Sequence, residues 1–273
     1  MTSKLTDIGV NLLHPQYAPD LSSVIQRARA AGVSRLLVTS TNLEETAAAI
    51  ALCQRHGPGL WCTAGVHPHE AGSSANQGWE IQLGELTKHT CVKAIGETGL
   101  DFYRSFSPRD KQIEVFRTQL AIAVGTGLPV FVHDRESNGT VARLLDEQAG
   151  GLSGVVIHCF TGTREDLLSY LNAGYYIGIT GWICDRKRGA RLRELAPLIP
   201  LNRLLVETDG PFLRPHNAPK DAIAVAKTIQ ARRNEPALLS YVIEQLAQLF
   251  ECSPEQIAAA SSHNAENLFQ LVD

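Results

Sequence analysis

The 273-residue chain has no Cys-x-x-Cys pair, a single methionine and few aromatics, 6% of its residues. It also has nothing close to the ~20 consecutive apolar residues that a membrane span requires. Each shortage excludes something. The six cysteines, Cys53, Cys62, Cys91, Cys159, Cys184 and Cys252, are scattered. A disulfide framework or a thiolate zinc site would show closer, paired spacing, so they are expected to be reduced and packed as small hydrophobes. The most apolar stretch, Ala121 to Val132, is broken by Gly125, Gly127 and Pro129. Met1 to Asn11 shows no basic segment ahead of a long apolar run, so no secretory signal is expected, and the cytoplasm is the expected compartment. The net charge of −3 argues against a broad basic face that coats nucleic acid. It leaves open a local basic pocket that grips one strand end. There is no low-complexity segment, no close repeat and no early glycine-rich phosphate turn. The last absence counts against an open doubly wound sheet.

What the chain has is a rhythm of short apolar runs, each followed by a helix-like stretch. The expected strands are Leu5–Val10, Arg35–Thr39, Leu60–Val66, Val92–Glu97, Pro129–His133, Gly154–His158, Tyr175–Thr180 and Arg203–Glu207. They are short and rich in leucine and β-branched residues, as buried parallel strands are. Helix punctuation falls between them. Ser107-Pro108-Arg109-Asp110 offers an N-cap serine, a proline at the first helical position and an early acid, with Gly125 as the expected C-terminal stop. Thr163 with Asp166, and Ser253 with Gln256, read as capping boxes, and Gly174 as the end of the first of these helices. Alternation of this kind predicts an α/β fold, a (β/α)₈ TIM barrel occupying residues 1–273 as one domain.

In such a barrel, catalytic side chains gather where the strands end. The third expected strand runs into Gly65-Val66-His67-Pro68-His69, and the fourth ends in Gly96-Glu97-Thr98-Gly99-Leu100-Asp101. The fifth delivers His133-Asp134-Arg135, the sixth His158-Cys159-Phe160-Thr161-Gly162, and the eighth Glu207-Thr208-Asp209-Gly210-Pro211. Taken singly, His133 or His158 reads equally as a hydrogen-bonded structural histidine, Glu97 as an arginine partner and Asp209 as a turn residue. Taken together, a carboxylate and two imidazoles on neighbouring strands are costly to bury without a cation. Glu97, His133, His158 and Asp209 are therefore the expected metal ligands. Asp209, Glu97 and His67 are the expected catalytic groups, with Asp209 as general base.

The segments GVHPH, GETGLD, HCFTG and VETDGP, with RRNEP at Arg232–Pro236, resemble the TatD family of metal-dependent deoxyribonucleases. The likeness runs from Asp7 to the Asn264…Asn267-Leu268-Phe269 ending. It implies a metallo-dependent hydrolase barrel, Glu97, His133 and His158 as metal ligands, and Asp209 as the acid at the end of strand 8. It also implies metal-dependent phosphodiester cleavage, in some members 3′–5′ exonuclease action on single strands, with magnesium as the supporting ion. One feature departs from the family pattern. A His-x-His pair normally follows the aspartate of strand 1, whereas this chain reads Asp7-Ile8-Gly9-Val10-Asn11. Gly9 offers no donor and Asn11 only a neutral carbonyl oxygen. One well-held metal is expected in place of a two-metal clamp.

Imidazole ligands by themselves suit manganese or zinc better than magnesium. Magnesium is the first expectation and these two the alternatives. His67, His69, Arg135, Arg186, Lys187 and Arg188 are the expected contacts to substrate phosphate, with Arg104, Arg191 and Arg193 extending the positive charge. A run of charges is just as often a solvated helix face. Phe102, Tyr103, Phe160 and Trp182 are candidates to stack on unpaired bases. The expected substrate is single-stranded DNA or RNA, with DNA repair as a setting and no obligate protein partner. Two other readings stay open. One is a metal-dependent hydrolase of a small ester, lactone or amide, or of aminoacyl-tRNA. The other is a non-catalytic binding barrel that has lost its His-x-His pair.

Overall fold

A computed structural model describes residues 4–73, 78–222 and 233–272; Arg232 of the RRNEP segment lies outside them. Eight strands, β1 (Leu5–Val10), β2 (Val33–Val38), β3 (Leu60–Ala64), β4 (Val92–Asp101), β5 (Val130–Arg135), β6 (Val155–His158), β7 (Tyr176–Ile179) and β8 (Leu204–Val206), form one sheet in sequence order. Every adjacent pair is parallel. The helices α1 (Leu21–Ala30), α2 (Leu43–His56), α3 (Trp79–Leu86), α4 (Arg109–Thr126), α5 (Thr140–Asp146), α6 (Arg164–Asn172) and α7 (Ala190–Leu195) connect successive strands, and α8 (Leu239–Leu249) and α9 (Pro254–Phe269) follow β8. The sheet closes on itself between β1 and β8. There Val10 bridges Gly210, and the Asp209 N–H donates to the Gly9 carbonyl at 2.8 Å. This is the nearly closed (β/α)₈ barrel that the alternation predicts.

The barrel interior is filled by Ile8, Leu37, Trp61, Ala94, Phe131, Val156 and Leu205, and plugged at the strand starts by Leu268 and Phe269 of α9. Side chains two residues apart share a face. His133, His158 and Glu207 therefore follow Phe131, Val156 and Leu205 into the interior, at the opposite end. That alternation places polar groups above an apolar floor.

Both expected capping boxes form: the Thr163 and Ser253 side chains accept from the backbone N–H groups of Asp166 and Gln256, whose side chains accept in return. Gly174 takes positive φ one residue beyond the Ala173 cap. The start of α4 departs from expectation. Pro108 is its N-cap, because the Ser107 hydroxyl is engaged elsewhere, donating to the His69 carbonyl (2.7 Å) and accepting from Gly72 N–H (2.9 Å). The helix also runs past Gly125 and stops at Gly127, whose φ of 70° breaks it. Strand β4 continues four residues beyond Glu97, because Gly96 and Gly99 have φ of 143° and 132° and lie where a Cβ would overlap the backbone of β5. The cysteines are not all isolated. Cys53, Cys62 and Cys91 come from α2, β3 and the turn before β4, and their sulfur atoms lie within 4.8 Å of one another. Scattered spacing gave no sign of this, because strand pairing brings them together: the Cys62 N–H donates to the Cys91 carbonyl at 2.9 Å.

Candidate active site

The strand ends deliver Glu97, His133, His158 and Asp209 to one point. Oε1 of Glu97 lies 3.0 Å from Nδ1 of His133 and 3.7 Å from Nε2 of His158, and that Nε2 lies 3.9 Å from Oδ1 of Asp209. The outer nitrogen of each imidazole faces another carboxylate. His158 Nδ1 is 2.6 Å from Oε2 of Glu207, whose Oε1 accepts from the Cys159 N–H at 2.6 Å. His133 Nε2 lies 3.4 Å from Oδ2 of Asp101, an ion-pair contact without hydrogen-bond alignment. These outer carboxylates favour a hydrogen on the outer nitrogens, which aims the inner lone pairs at Glu97. A carboxylate facing two imidazole lone pairs needs a cation between them, and this donor set fits a divalent ion.

The carboxylates also draw positive charge to this point, as a proton on a ring or as a cation. Burial disfavours charge on all three groups, yet the His67, His158 and His133 rings hold Glu97 well below the carboxylate range. Against the same burial, Glu207 and Glu97 push His158 up to about 10, and Asp101 and Glu97 raise His133. Asp209 behaves differently. Burial, reinforced by Glu97 and Glu207 and opposed by His158, pushes its carboxyl up to about 7.

His67 takes a different part. Its Nδ1 accepts from the His69 N–H at 3.1 Å, so Nε2 carries the hydrogen and faces Oε1 of Glu97 at 3.3 Å. Burial lowers its pKa to about 4, which keeps the ring neutral. Its free hydrogen makes it a donor. His69 donates in the same manner to Asp101, 2.8 Å away. Both rings line the cavity, but each points at a carboxylate of the site, where the sequence reading had them facing substrate phosphate.

Above the cluster opens a cavity of about 580 Å³, lined among others by Arg104, Phe106, Arg135, Trp182, Arg188 and Phe212. A second cavity of about 510 Å³ adjoins it, sharing Arg135, Trp182 and Arg188 and adding Lys187 and Arg191. The guanidinium of Arg188 sits 4.5 Å over the Trp182 ring, and that of Arg135 4.5 Å over Tyr103. The mouth thus sets arginines and aromatic rings beside the acids Glu70, Asp134, Glu136 and Asp166.

The family model for TatD-related DNase matches residues 6–270. This chain belongs to the TatD-related DNase family. It is therefore a hydrolase of the nucleic-acid-cutting class. Among curated relatives, the 3′-5′ ssDNA/RNA exonuclease TatD of Citrobacter rodentium is 47% identical over 97% of both chains. The Salmonella typhimurium protein of the same name is 43% identical over 97% of this chain and 99% of its own. Among solved structures, a TatD family hydrolase from Entamoeba histolytica and a TatD homolog from Escherichia coli K12 each superpose with a TM-score of 0.87 at 27% identity, covering both chains fully. An Escherichia coli phosphotriesterase homology protein, at 15% identity and TM-score 0.67, shares the barrel. A family of metallo-hydrolases on this fold implies a divalent metal, and the donor set above is where this member offers a place for one.

Set against that family frame, the expected residues divide. Glu97, His133, His158 and Asp209 converge. Arg135 and Arg188 line the mouth, Lys187 lines the adjoining cavity, and Arg186 lines neither. Arg193 is a brace: its guanidinium donates to the carbonyls of Ile183, Asp185 and Arg186 at 2.7–3.0 Å. Phe160 is a core residue, 3% exposed, and cannot stack on a base, whereas Phe106 and Phe212, unremarked in the sequence, are 71% and 47% exposed on the rim. Asn11 turns its NH₂ toward Asp209 Oδ1 (3.1 Å) while its own oxygen accepts from Thr39 (2.8 Å). The one oxygen it could have offered a metal is thus taken by Thr39.

Proposed function

We propose that this chain is a metal-dependent 3′–5′ exonuclease that shortens single-stranded DNA or RNA, working as one barrel domain over residues 1–273. The observation that carries the reading is the convergence of Glu97, His133 and His158, with Asp209 beside them, on the floor of a cavity rimmed by Arg104, Arg135, Arg188 and aromatic rings. The relatives named as ssDNA/RNA exonucleases support the substrate and polarity. An open mouth with arginines stacked on aromatic rings suits a strand end better than a small ester, lactone or amide.

Glu97, His133 and His158 would hold the ion, with Asp209 at its edge. The chemistry a divalent cation supplies in such a site is polarisation of a phosphoryl oxygen and a lower pKa for water. Asp209, its pKa pushed up to about 7 by burial, accepts the proton of the water whose oxygen bonds to the last phosphorus. The bond from that phosphorus to O3′ of the penultimate nucleotide breaks, and the same proton passes on to this O3′, leaving a new 3′-hydroxyl and a free 5′-mononucleotide. His67 keeps Glu97 charged and oriented through its Nε2–H. Arg188 and Arg135 meet the phosphates, with His69 and Arg104 behind them on Asp101. Trp182, Phe106 and Phe212 stack on bases. Magnesium is the proposed ion and manganese the better fit to two imidazoles. No helix among the described residues is long and apolar enough to cross a membrane, and the cytoplasm is the proposed compartment.

The test is single-stranded DNA labelled at either end, incubated with protein and Mg²⁺ or Mn²⁺. The 3′ label is expected to be released first, as mononucleotide, with release abolished by chelation. Cleavage that survives chelation, or that begins at the 5′ end, would overturn the reading.

A further inference from the structure

At the opposite end of the barrel from Glu97, three thiols meet. Cys53 lies in the last turn of α2, Cys62 in β3, and Cys91 just ahead of β4. Cys53 and Cys62 are 4% and 0% exposed, while Cys91 is only partly buried. With the sulfur atoms all within 4.8 Å of one another, the trio is close to the spacing that a tetrahedral ion requires. Zinc–sulfur bonds of ~2.3 Å put two thiolates about 3.8 Å apart. Only small side-chain rotations separate the two arrangements.

We propose that Cys53, Cys62 and Cys91 form a binding site for a thiophilic divalent cation of the Zn²⁺ class, remote from the catalytic cavity. Buried cysteines that merely pack as hydrophobes have no reason to point their sulfur atoms at one another from three separate elements. Here they do, and the partly buried Cys91 gives an ion a way in. Loading releases the thiol protons to solvent as the sulfurs bind. The fourth position falls to water. The ion would tie the end of α2 to the starts of β3 and β4, which makes the site structural.

The probe is Co²⁺ added to the full-length, fully reduced protein, since only sulfur ligation gives intense thiolate-to-cobalt charge-transfer absorption. One equivalent is expected to produce that absorption, and one equivalent of Zn²⁺ to remove it. The bands should vanish in Cys53→Ser and Cys91→Ser. They should persist in Cys159→Ser, whose thiol is the one near Asp209. Cys91→Ser, on a partly exposed turn, should keep native circular dichroism and Mg²⁺-dependent nuclease activity, so loss of the bands cannot be blamed on misfolding. A second readout is alkylation of Cys91 mapped by mass spectrometry, expected to slow at least tenfold when Zn²⁺ is present. No charge-transfer absorption at saturating Co²⁺, or bands that survive in Cys91→Ser or disappear in Cys159→Ser, would overturn the proposal.

Discussion

Glu207 occupies space that two glycines leave open. A Cβ on Gly9 would overlap its Oε2, and a Cβ on Gly178 would crowd its Oε1. In that slot it fixes the His158 ring through Nδ1 and anchors the Cys159 N–H, each at 2.6 Å. Substituting the neutral amide keeps the shape and removes the charge, so Glu207→Gln is expected to weaken Mn²⁺ binding and turnover about 10–100-fold, as losses of such outer partners do. Gly9→Ala should act in the same direction by pushing Glu207 aside. Calorimetric Mn²⁺ titration of both variants, alongside far-UV circular dichroism, checks this; wild-type affinity in Glu207→Gln would mean that His158 is oriented without it. The same neighbourhood shows what a sequence can disclose. The convergence of Glu97, His133, His158 and Asp209 was legible because each lies at or just past the end of an expected strand, and the barrel gathers those ends. Glu207 and Asp101 stand in the same motifs, yet their partners lie 49 and 32 residues away. Pairing at that distance is decided by packing, which no spacing rule encodes. The Cys53, Cys62 and Cys91 trio was invisible for the same reason.

The loop between β7 and α7 shows how one carboxylate organises a basic segment. Asp185 accepts from the Lys187 and Arg188 N–H groups, both at 2.9 Å, and from Nε of Arg188 at 2.7 Å. Burial acts to raise its pKa, but these donors win and hold it at about 2. Of the three basic residues, Arg188 is the one stacked on Trp182 at the cavity mouth. Arg188→Ala is therefore expected to weaken single-strand binding and flatten its salt dependence by about one phosphate contact, and Arg186→Ala to do neither. Fluorescence titration with a labelled oligonucleotide across a salt series checks this, and equal effects of the two substitutions would return the run to an ordinary solvated surface. The pH dependence has a definite sign. A carboxyl depressed in the folded state contributes stability above its unfolded pKa of about 3.9, and loses it as pH falls through the folded value. Between pH 4 and pH 2 the melting temperature of the wild type should fall toward that of Asp185→Asn. A gap that stays constant over this window would show that the carboxylate's charge is not what holds the loop. At this scale the helix caps at Thr163 and Ser253 were readable from local chemistry. The start of α4 was not, because Ser107 is drawn away by His69 and Gly72, partners across the fold.

For the molecule as a whole, the seam where β8 meets β1 bears on how many ions the site would hold, because the site has two donor groups, His67, Glu97 and His133 on one side and His158, Cys159 and Asp209 on the other. That seam is stitched by side chains as much as by backbone: Asp7 accepts from the Thr208 N–H at 2.9 Å, and Asn11 donates to Asp209 and to the Gly210 carbonyl at 3.1 and 3.2 Å. A second metal beside strand 1 would need donors there. Gly9 has none, its space is filled by a Glu207 already committed to His158, and Asn11 offers hydrogens to Asp209 where a lone pair would be required. The Cys159 thiol, next to Asp209, is pushed well above its ordinary pKa by burial and by the Asp209 and Glu207 charges, so it is a poor ligand for a hard ion. Closing the barrel thus engages Asn11 and Glu207, two of the groups nearest a second position. Mn²⁺, which prefers oxygen and nitrogen to thiolate, should saturate near one tight equivalent per chain, and turnover should rise and level off with that single equivalent. Glu97→Gln and His158→Ala should each abolish both the tight equivalent and hydrolysis while leaving the fold native by circular dichroism. Two tight Mn²⁺ equivalents in the wild type, or turnover that rises only with a second, would show that Asn11 and Glu207 release their partners when metal arrives.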